Sequence, residues 1–144
     1  MKSTVTIFIL CFLFNTLIAQ QNLVPNGSFE EYSECPETND INNGQFEKAI
    51  GWWSPTMGTP DFFHRCNDTL NIPSQGMVGV PNNFWGYQEA FHGDGYVGFL
   101  PYEWLDETGE IVGSEYIGTK LKNQLKPCYT YEFSMRMSLA NNST

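Results

Sequence analysis

The sequence predicts an all-β protein of the sandwich type, and three observations favour that class. Turn-forming clusters recur along the chain, among them Asn42-Asn43-Gly44 and Gly93-Asp94-Gly95, and such clusters mark chain reversals. Short β-type runs lie between these turns. No segment after the N-terminus repeats apolar residues at the helical i, i+3, i+4 spacing. Several short strands separated by turns are typical of an antiparallel β-sandwich.

The segment Tyr129–Leu139 has the clearest strand pattern in the chain. Its apolar residues are Tyr129, Tyr131, Phe133, Met135, Met137 and Leu139, and polar residues fill every position between them. This period of two is what a half-buried antiparallel strand requires. Shorter strands are predicted at Asn22–Val24, Ser28–Glu31, Trp52–Trp53, Tyr96–Tyr102 and Glu115–Leu121.

The N-terminus has the pattern of a cleavable secretory signal peptide over residues 1–19. Lys2 supplies a positive start, Val5–Phe14 is an uncharged apolar run, and Ala19 precedes the expected cleavage point. The apolar run is shorter than the ~20 residues that a membrane-spanning helix needs; an uncleaved anchor is the alternative. We therefore expect a secreted, outer-surface or periplasmic protein whose mature part, 20–144, is one domain with no membrane span.

The net charge and the cysteine content limit the possible binding partners and the cellular compartment of the protein. The chain carries a net charge of −9, which argues against nucleic acid and anionic membranes because both need basic patches. Neutral glycans, cations and proteins remain compatible with it. Cys35, Cys66 and Cys128 follow the signal peptide, and in an oxidising compartment we expect pairing. A Cys35–Cys66 disulfide would join two loop-like segments, whereas Cys128 is either free and buried or paired elsewhere.

The segment Asn22–Glu31, which reads NLVPNGSFEE, resembles the opening of galactose-binding-domain-like jelly rolls, including many carbohydrate-binding modules. Those domains begin with an N-G-x-F-E turn and strand, followed by a Trp-containing strand that Gly51-Trp52-Trp53 matches. The wider pattern is similar to N-terminal domains of surface and secreted proteins from gliding, type IX-secreting bacteria, often placed ahead of an OmpA-type domain. The supporting segments include Glu34–Pro36, Val80–Asn83, Gly86–Gln88, His92–Gly98, Glu115–Ile117 and Ser138–Ala140.

This resemblance implies an antiparallel jelly-roll β-sandwich that is incomplete at its C-terminus. Such domains continue past the strand that corresponds to Ser138–Ala140, whereas this chain stops at Thr144. A strand left at an open sheet edge promotes aggregation, so we expect further strands in the natural domain. A C-terminal OmpA-type domain in the full-length protein is one partner that the resemblance suggests.

Two groups of residues are candidates for binding. The resemblance implies a structural calcium ion at Glu30 and Glu31, because the acidic residue after N-G-x-F often helps bind calcium in carbohydrate-binding jelly rolls; a solvated turn is the alternative. Trp85, Tyr87 and Gln88 form an aromatic and amide cluster in a loop-like context. Aromatic rings stack on the apolar faces of sugars, and an amide can hydrogen-bond their hydroxyl groups.

The sequence therefore predicts an exported, non-catalytic surface module that binds a glycan or another cell-envelope component. A structural adhesion or envelope-assembly domain without a small ligand is the alternative. A small extracellular hydrolase is a third hypothesis, which requires His64 or His92 beside a carboxylate in a cleft. No Gly-x-Ser-x-Gly motif, phosphate loop or metal-binding helix motif supports an enzyme.

Overall fold

The computed structural model describes residues 21–37, 45–69, 77–102, 104–105, 108 and 111–140. Within these ranges the chain forms short strands and two 3-10 helices, at Phe46–Lys48 and Arg65–Thr69. The strands are β1 (Trp52–Trp53), β2 (Asp61–His64), β3 (Asn82–Asn83), β4 (Gly86–Tyr87), β5 (Gly95–Gly98), β6 (Trp104–Leu105), β7 (Ile111–Gly113) and β8 (Gly118–Thr119). The predicted all-β class is confirmed.

The strands pair as antiparallel ladders of two strands each. The pairs are β1 with β8, β2 with β5, β3 with β4 and β6 with β7. The β2–β5 ladder is the longest, with Asp61 opposite Gly98 and His64 opposite Gly95. The described residues do not join these ladders into two larger sheets, so the jelly-roll arrangement stays a prediction. No helix in this part of the chain is long and apolar enough to cross a bilayer.

The β2–β5 ladder lies between two apolar clusters. Phe62 and Phe63 are 0% and 1% exposed, and they face opposite sides because successive strand residues alternate. The first cluster contains Phe62, Phe46 and Ala49, with Phe29, Trp52, Val97 and Ile117 packed against it. The second contains Phe63, Val78 and Val80, with Trp85, Ala90 and Tyr96 packed against it. Strand β2 is thus covered on both faces.

The N-terminal motif forms a turn, so the strands predicted at Asn22–Val24 and Ser28–Glu31 are wrong. The Asn26 side chain donates to the carbonyl oxygens of Glu31 at 2.7 Å and Ile50 at 2.9 Å, and it accepts from the Glu31 N–H at 3.0 Å. Its own carbonyl accepts from the indole of Trp52 at 3.0 Å. An asparagine side chain that satisfies backbone groups in this way favours a turn over a sheet ladder.

The predicted strand Tyr129–Leu139 is also wrong as a paired element. No strand is formed at 129–140, and its six apolar side chains are between 42% and 87% exposed. None of the described strands pairs with it, which leaves the alternating pattern without a ladder. Two other predictions are confirmed only in part, since β5 overlaps the start of Tyr96–Tyr102 and β8 lies in the middle of Glu115–Leu121.

The predicted Cys35–Cys66 disulfide is confirmed. The two Cα atoms are 6.0 Å apart, within the usual range for a disulfide. Beside the bond, buried Asn67 donates from its side chain to the Pro36 carbonyl at 3.0 Å. Cys128 is free, and it is exposed instead of buried, which corrects that part of the prediction.

Candidate functional site

The β3–β4 hairpin presents aromatic side chains at the protein surface. Its strands pair Asn82 with Tyr87 and Asn83 with Gly86. The Asn83 side chain accepts from the Trp85 N–H at 3.0 Å, which holds the reversal closed. Phe84 and Tyr87 are 52% and 54% exposed. We refer to Arg65, Phe84, Tyr87, Gln88, Glu89 and Asp94 together as the Tyr87 surface.

Charged side chains hold the phenol ring of Tyr87 in place. Its hydroxyl donates to Glu89 Oε1 at 2.9 Å, and Arg65 donates from Nη2 to Glu89 Oε2 at 3.2 Å. The Arg65 Nε donates to Asp94 Oδ1 at 2.9 Å. The hydrogen bond to Glu89 raises the pKa of Tyr87, because it favours the protonated phenol. The exposed ring therefore has an orientation fixed by a chain of polar contacts.

The three predicted ligand residues take up different environments. Tyr87 is exposed, as a stacking residue requires. Trp85 is half-buried against the second apolar cluster, and its indole donates to Asp61 Oδ2 at 3.2 Å. Gln88 is half-buried; its side chain donates to the Glu89 carbonyl and accepts from the Ser138 hydroxyl, both at 2.7 Å. Trp85 thus packs the hairpin against the second apolar cluster. Both the nitrogen and the oxygen of the Gln88 amide already have hydrogen-bond partners.

An unusual carboxyl group lies beneath the hairpin. The pKa of Asp61 is raised to about 6, mainly because the carboxyl group is largely buried; the hydrogen bond from Trp85 opposes this rise, and the negative charge of Glu115 adds to it. Glu115 is held by the Thr59 N–H at 3.0 Å and the Leu100 N–H at 2.8 Å. Asp61 therefore links the indole of Trp85 to the ladder, and it carries a proton at mildly acidic pH.

Glu30 and Glu31, the predicted calcium ligands, have different surroundings. Glu30 Oε1 accepts from the N–H groups of Asp94 at 2.8 Å and Gly95 at 3.0 Å, so positive dipole ends face this oxygen. The side chain of Glu31 is exposed. Calcium needs six to eight oxygen ligands, and no group of three or more His, Cys, Asp or Glu residues gathers among the described residues. Through these two hydrogen bonds Glu30 connects the N-terminal turn to the turn before β5.

The hydrolase hypothesis depends on the surroundings of His64 and His92. His64 is 6% exposed, and its Nδ1 accepts from the Cys66 N–H at 3.1 Å. Burial lowers the pKa of His64, while the negative charges of Glu30 and Asp94 oppose that effect. His92 is exposed. In the described part of the chain neither imidazole forms a hydrogen bond with a carboxylate. A surface depression is lined by Ser33, Glu34, Gln45, Glu47 and Lys48, and neither histidine is among these residues.

Sequence analysis missed the charged half of the Tyr87 surface. Arg65 forms ion pairs with Glu89 and Asp94, which lie 24 and 29 residues further along the chain. No local sequence motif therefore indicates these contacts. The signal present in the sequence was the aromatic run around Trp85, and it identified the hairpin but not its polar neighbours.

Comparison with known proteins identifies no relative. No protein-family model matches the chain, and neither a curated protein nor a solved structure matches it. The galactose-binding-like resemblance therefore stays a prediction based on short segments, and the function has to be argued from the geometry of the Tyr87 surface.

Proposed function

We propose that this chain is an exported, non-catalytic jelly-roll module that binds a neutral glycan of the cell envelope at the Tyr87 surface. The observation that carries the proposal is the exposed ring of Tyr87, which Glu89 holds; a second exposed ring, Phe84, lies in the same hairpin. Sugar rings present C–H faces that stack on aromatic rings, and polar groups around such a platform hydrogen-bond the hydroxyl groups.

Preorganisation supports this site. The contacts from Tyr87 through Glu89 and Arg65 to Asp94 restrict side chains that would otherwise lose rotamer freedom on binding. Trp85 contributes as a supporting residue, because its indole is held by Asp61 beneath the hairpin. Calcium at Glu30 and Glu31 stays a prediction of the resemblance and is not part of this proposal.

A structural adhesion or envelope-assembly domain is the second candidate. It is favoured by Gln88, whose amide is already satisfied by Glu89 and Ser138. In that case the Tyr87 surface contacts another protein domain, and no small ligand binds.

The test is a glycan array on the mature chain, 20–144, with Tyr87→Ala and Tyr116→Ala as a matched pair. Tyr116 is 53% exposed, against 54% for Tyr87, and it lies outside the Tyr87 surface. We expect Tyr87→Ala to weaken the best glycan about tenfold, since one stacking contact contributes about 1.4 kcal/mol. Tyr116→Ala should bind as wild type does. A wild-type chain that binds no glycan would overturn the proposal and favour the structural candidate.

A further inference from the structure

The segment 129–139 combines the sequence pattern of a strand with the absence of any strand partner among the described residues. Its apolar side chains are exposed, from Tyr131 at 42% to Leu139 at 87%. A row of large apolar side chains beside unpaired backbone groups is a template for pairing with another chain. The question is which chain fits it.

The contacts that side chains of the segment make with the rest of the protein already follow a period of two. Arg136 lies 4.8 Å from the centre of the Phe91 ring, and Ser138 donates to Gln88, so two alternate residues contact the same loop. At the other end, Tyr129 and Tyr131 share Lys126 as a neighbour. Alternate residues thus lie on common sides, as a strand requires, although no ladder is present.

We propose that this segment is a self-association strand, which pairs antiparallel with the same segment of a second copy about a two-fold axis at Ser134. In that register Glu132 lies opposite Arg136 of the second copy, and the reverse pair follows by symmetry. Opposite charges placed directly across a ladder stabilise it. Arg136 can keep its contact with the Phe91 ring, because the pairing uses the backbone groups at the edge of the segment.

The other residues fit the same register. Phe133 lies opposite Met135 and Tyr131 opposite Met137, and sulfur–aromatic contacts of this kind are favourable. Thr130 lies opposite Ser138. A shift by one residue would bring apolar side chains opposite polar ones. Moving the two-fold axis to Phe133 or Met135 would place a serine or threonine opposite each charged residue. Of these three registers, only the one centred on Ser134 places Glu132 opposite Arg136.

Charge reversal tests the register. We use the mature chain with Cys128→Ser, and compare Glu132→Arg, Arg136→Glu and the double variant by analytical ultracentrifugation. Wild type and the double variant should form dimers, while each single variant should weaken dimerisation at least tenfold, because it places like charges opposite each other. An equimolar mixture of the two single variants should recover dimers, since each supplies the charge that the other lacks. Circular dichroism and an intact Cys35–Cys66 bond serve as controls for folding.

Cross-linking tests the two-fold axis. In the same background Ser134→Cys should give a covalent dimer under oxidation with diamide, because the two residues lie directly opposite. Thr130→Cys should not cross-link to itself, since the two copies of that residue would be about 27 Å apart along the ladder. A mixture of Thr130→Cys and Ser138→Cys should cross-link.

Three results would overturn the proposal: a monomeric wild type at every concentration tested, a dimer that single charge reversal leaves unchanged, or cross-linking of Thr130→Cys as efficient as that of Ser134→Cys. A monomer would mean that the segment does not pair with a second copy of itself. Tyr87→Ala should dimerise normally, so the outcome is independent of glycan binding.

Discussion

The β2–β5 ladder and the segment 129–139 have similar apolar content and opposite environments. Phe62 and Phe63 are at most 1% exposed, whereas Phe133 is 77% exposed. Strand β2 has β5 beside it and a cluster on each face, while 129–139 has no partner strand in the described chain. The difference shows that apolar content brings a side chain into a core only where neighbouring elements supply the second surface.

The most direct way to break this comparison is the same substitution in both regions. Phe62→Ala should lower the free energy of unfolding by about 3–5 kcal/mol, because it leaves a cavity in a closed cluster. Phe133→Ala should change it by less than about 0.5 kcal/mol, as is usual for exposed positions. Urea denaturation at a protein concentration below that of any self-association measures both. Equal losses would show that 129–139 is as well packed as β2.

Removing the disulfide tests how far the β2 region depends on its covalent link. Cys35→Ser with Cys66→Ser should lower the free energy of unfolding by about 3–4 kcal/mol, because the bond closes a loop of about 30 residues in the unfolded chain. Cys128→Ser is the matched control and should have no effect, since this thiol is free and exposed. The measurement is thermal and urea unfolding without reductant; a loss in the control would contradict the interpretation.

The N-terminal turn can be tested through its central asparagine. Asn26→Ala removes three side-chain hydrogen bonds, and we expect a loss of about 2–3 kcal/mol at roughly 1 kcal/mol for each bond. Asn22→Ala removes one exposed bond to Val24 and should cost less than about 1 kcal/mol. Chemical denaturation of both variants gives the ranking, and a reversed order would show that the turn does not stabilise the core.

The smallest expected effect concerns Asp61, the partly buried carboxyl group of β2. The pKa of Asp61 rises from 3.8 to about 6 on folding, so between these pH values the folded state binds more protons and this group lowers stability as pH rises. Asp61→Asn keeps an acceptor for Trp85 and should raise stability at pH 7 by about 1–3 kcal/mol, with no gain at pH 3.

The difference between wild type and Asp61→Asn isolates this contribution. His64 has the opposite slope, because burial lowers its pKa and its contribution to stability is lost as pH falls below 6.5. Both proteins contain His64, so its effect cancels in the subtraction. A gain that is the same at pH 3 and pH 7 would mean that Asp61 is not protonated preferentially in the folded state.

Features that depend on local chemistry were predictable from the sequence. The disulfide followed from two cysteines in loop-like segments, and Trp52–Trp53 was correctly placed in a strand. Strand β2 was missed because Phe62 and Phe63 are buried on opposite faces, and a strand covered on both sides shows no alternation.

Features that depend on distant contacts were not predictable. The charges around Tyr87 meet only after the chain has folded. The N-terminal motif was predicted to form strands, whereas the side chain of Asn26 hydrogen-bonds the backbone of Glu31 and Ile50 and forms a turn. Segment 129–139 shows the reverse case, in which a strong local pattern has no described partner.

The position of Glu30 has a consequence for the order in which the chain folds. Its carboxylate is bonded to Asp94 and Gly95, the first of them 64 residues further along, and the Leu23 carbonyl accepts from the Lys122 N–H at 2.9 Å. During synthesis these bonds cannot form until the later segments have been made. Contacts this distant in sequence slow folding, because the loop must close before they form. The N-terminal turn, although it is synthesised early, therefore acquires these hydrogen bonds only after the segments that contain Asp94, Gly95 and Lys122 have been made.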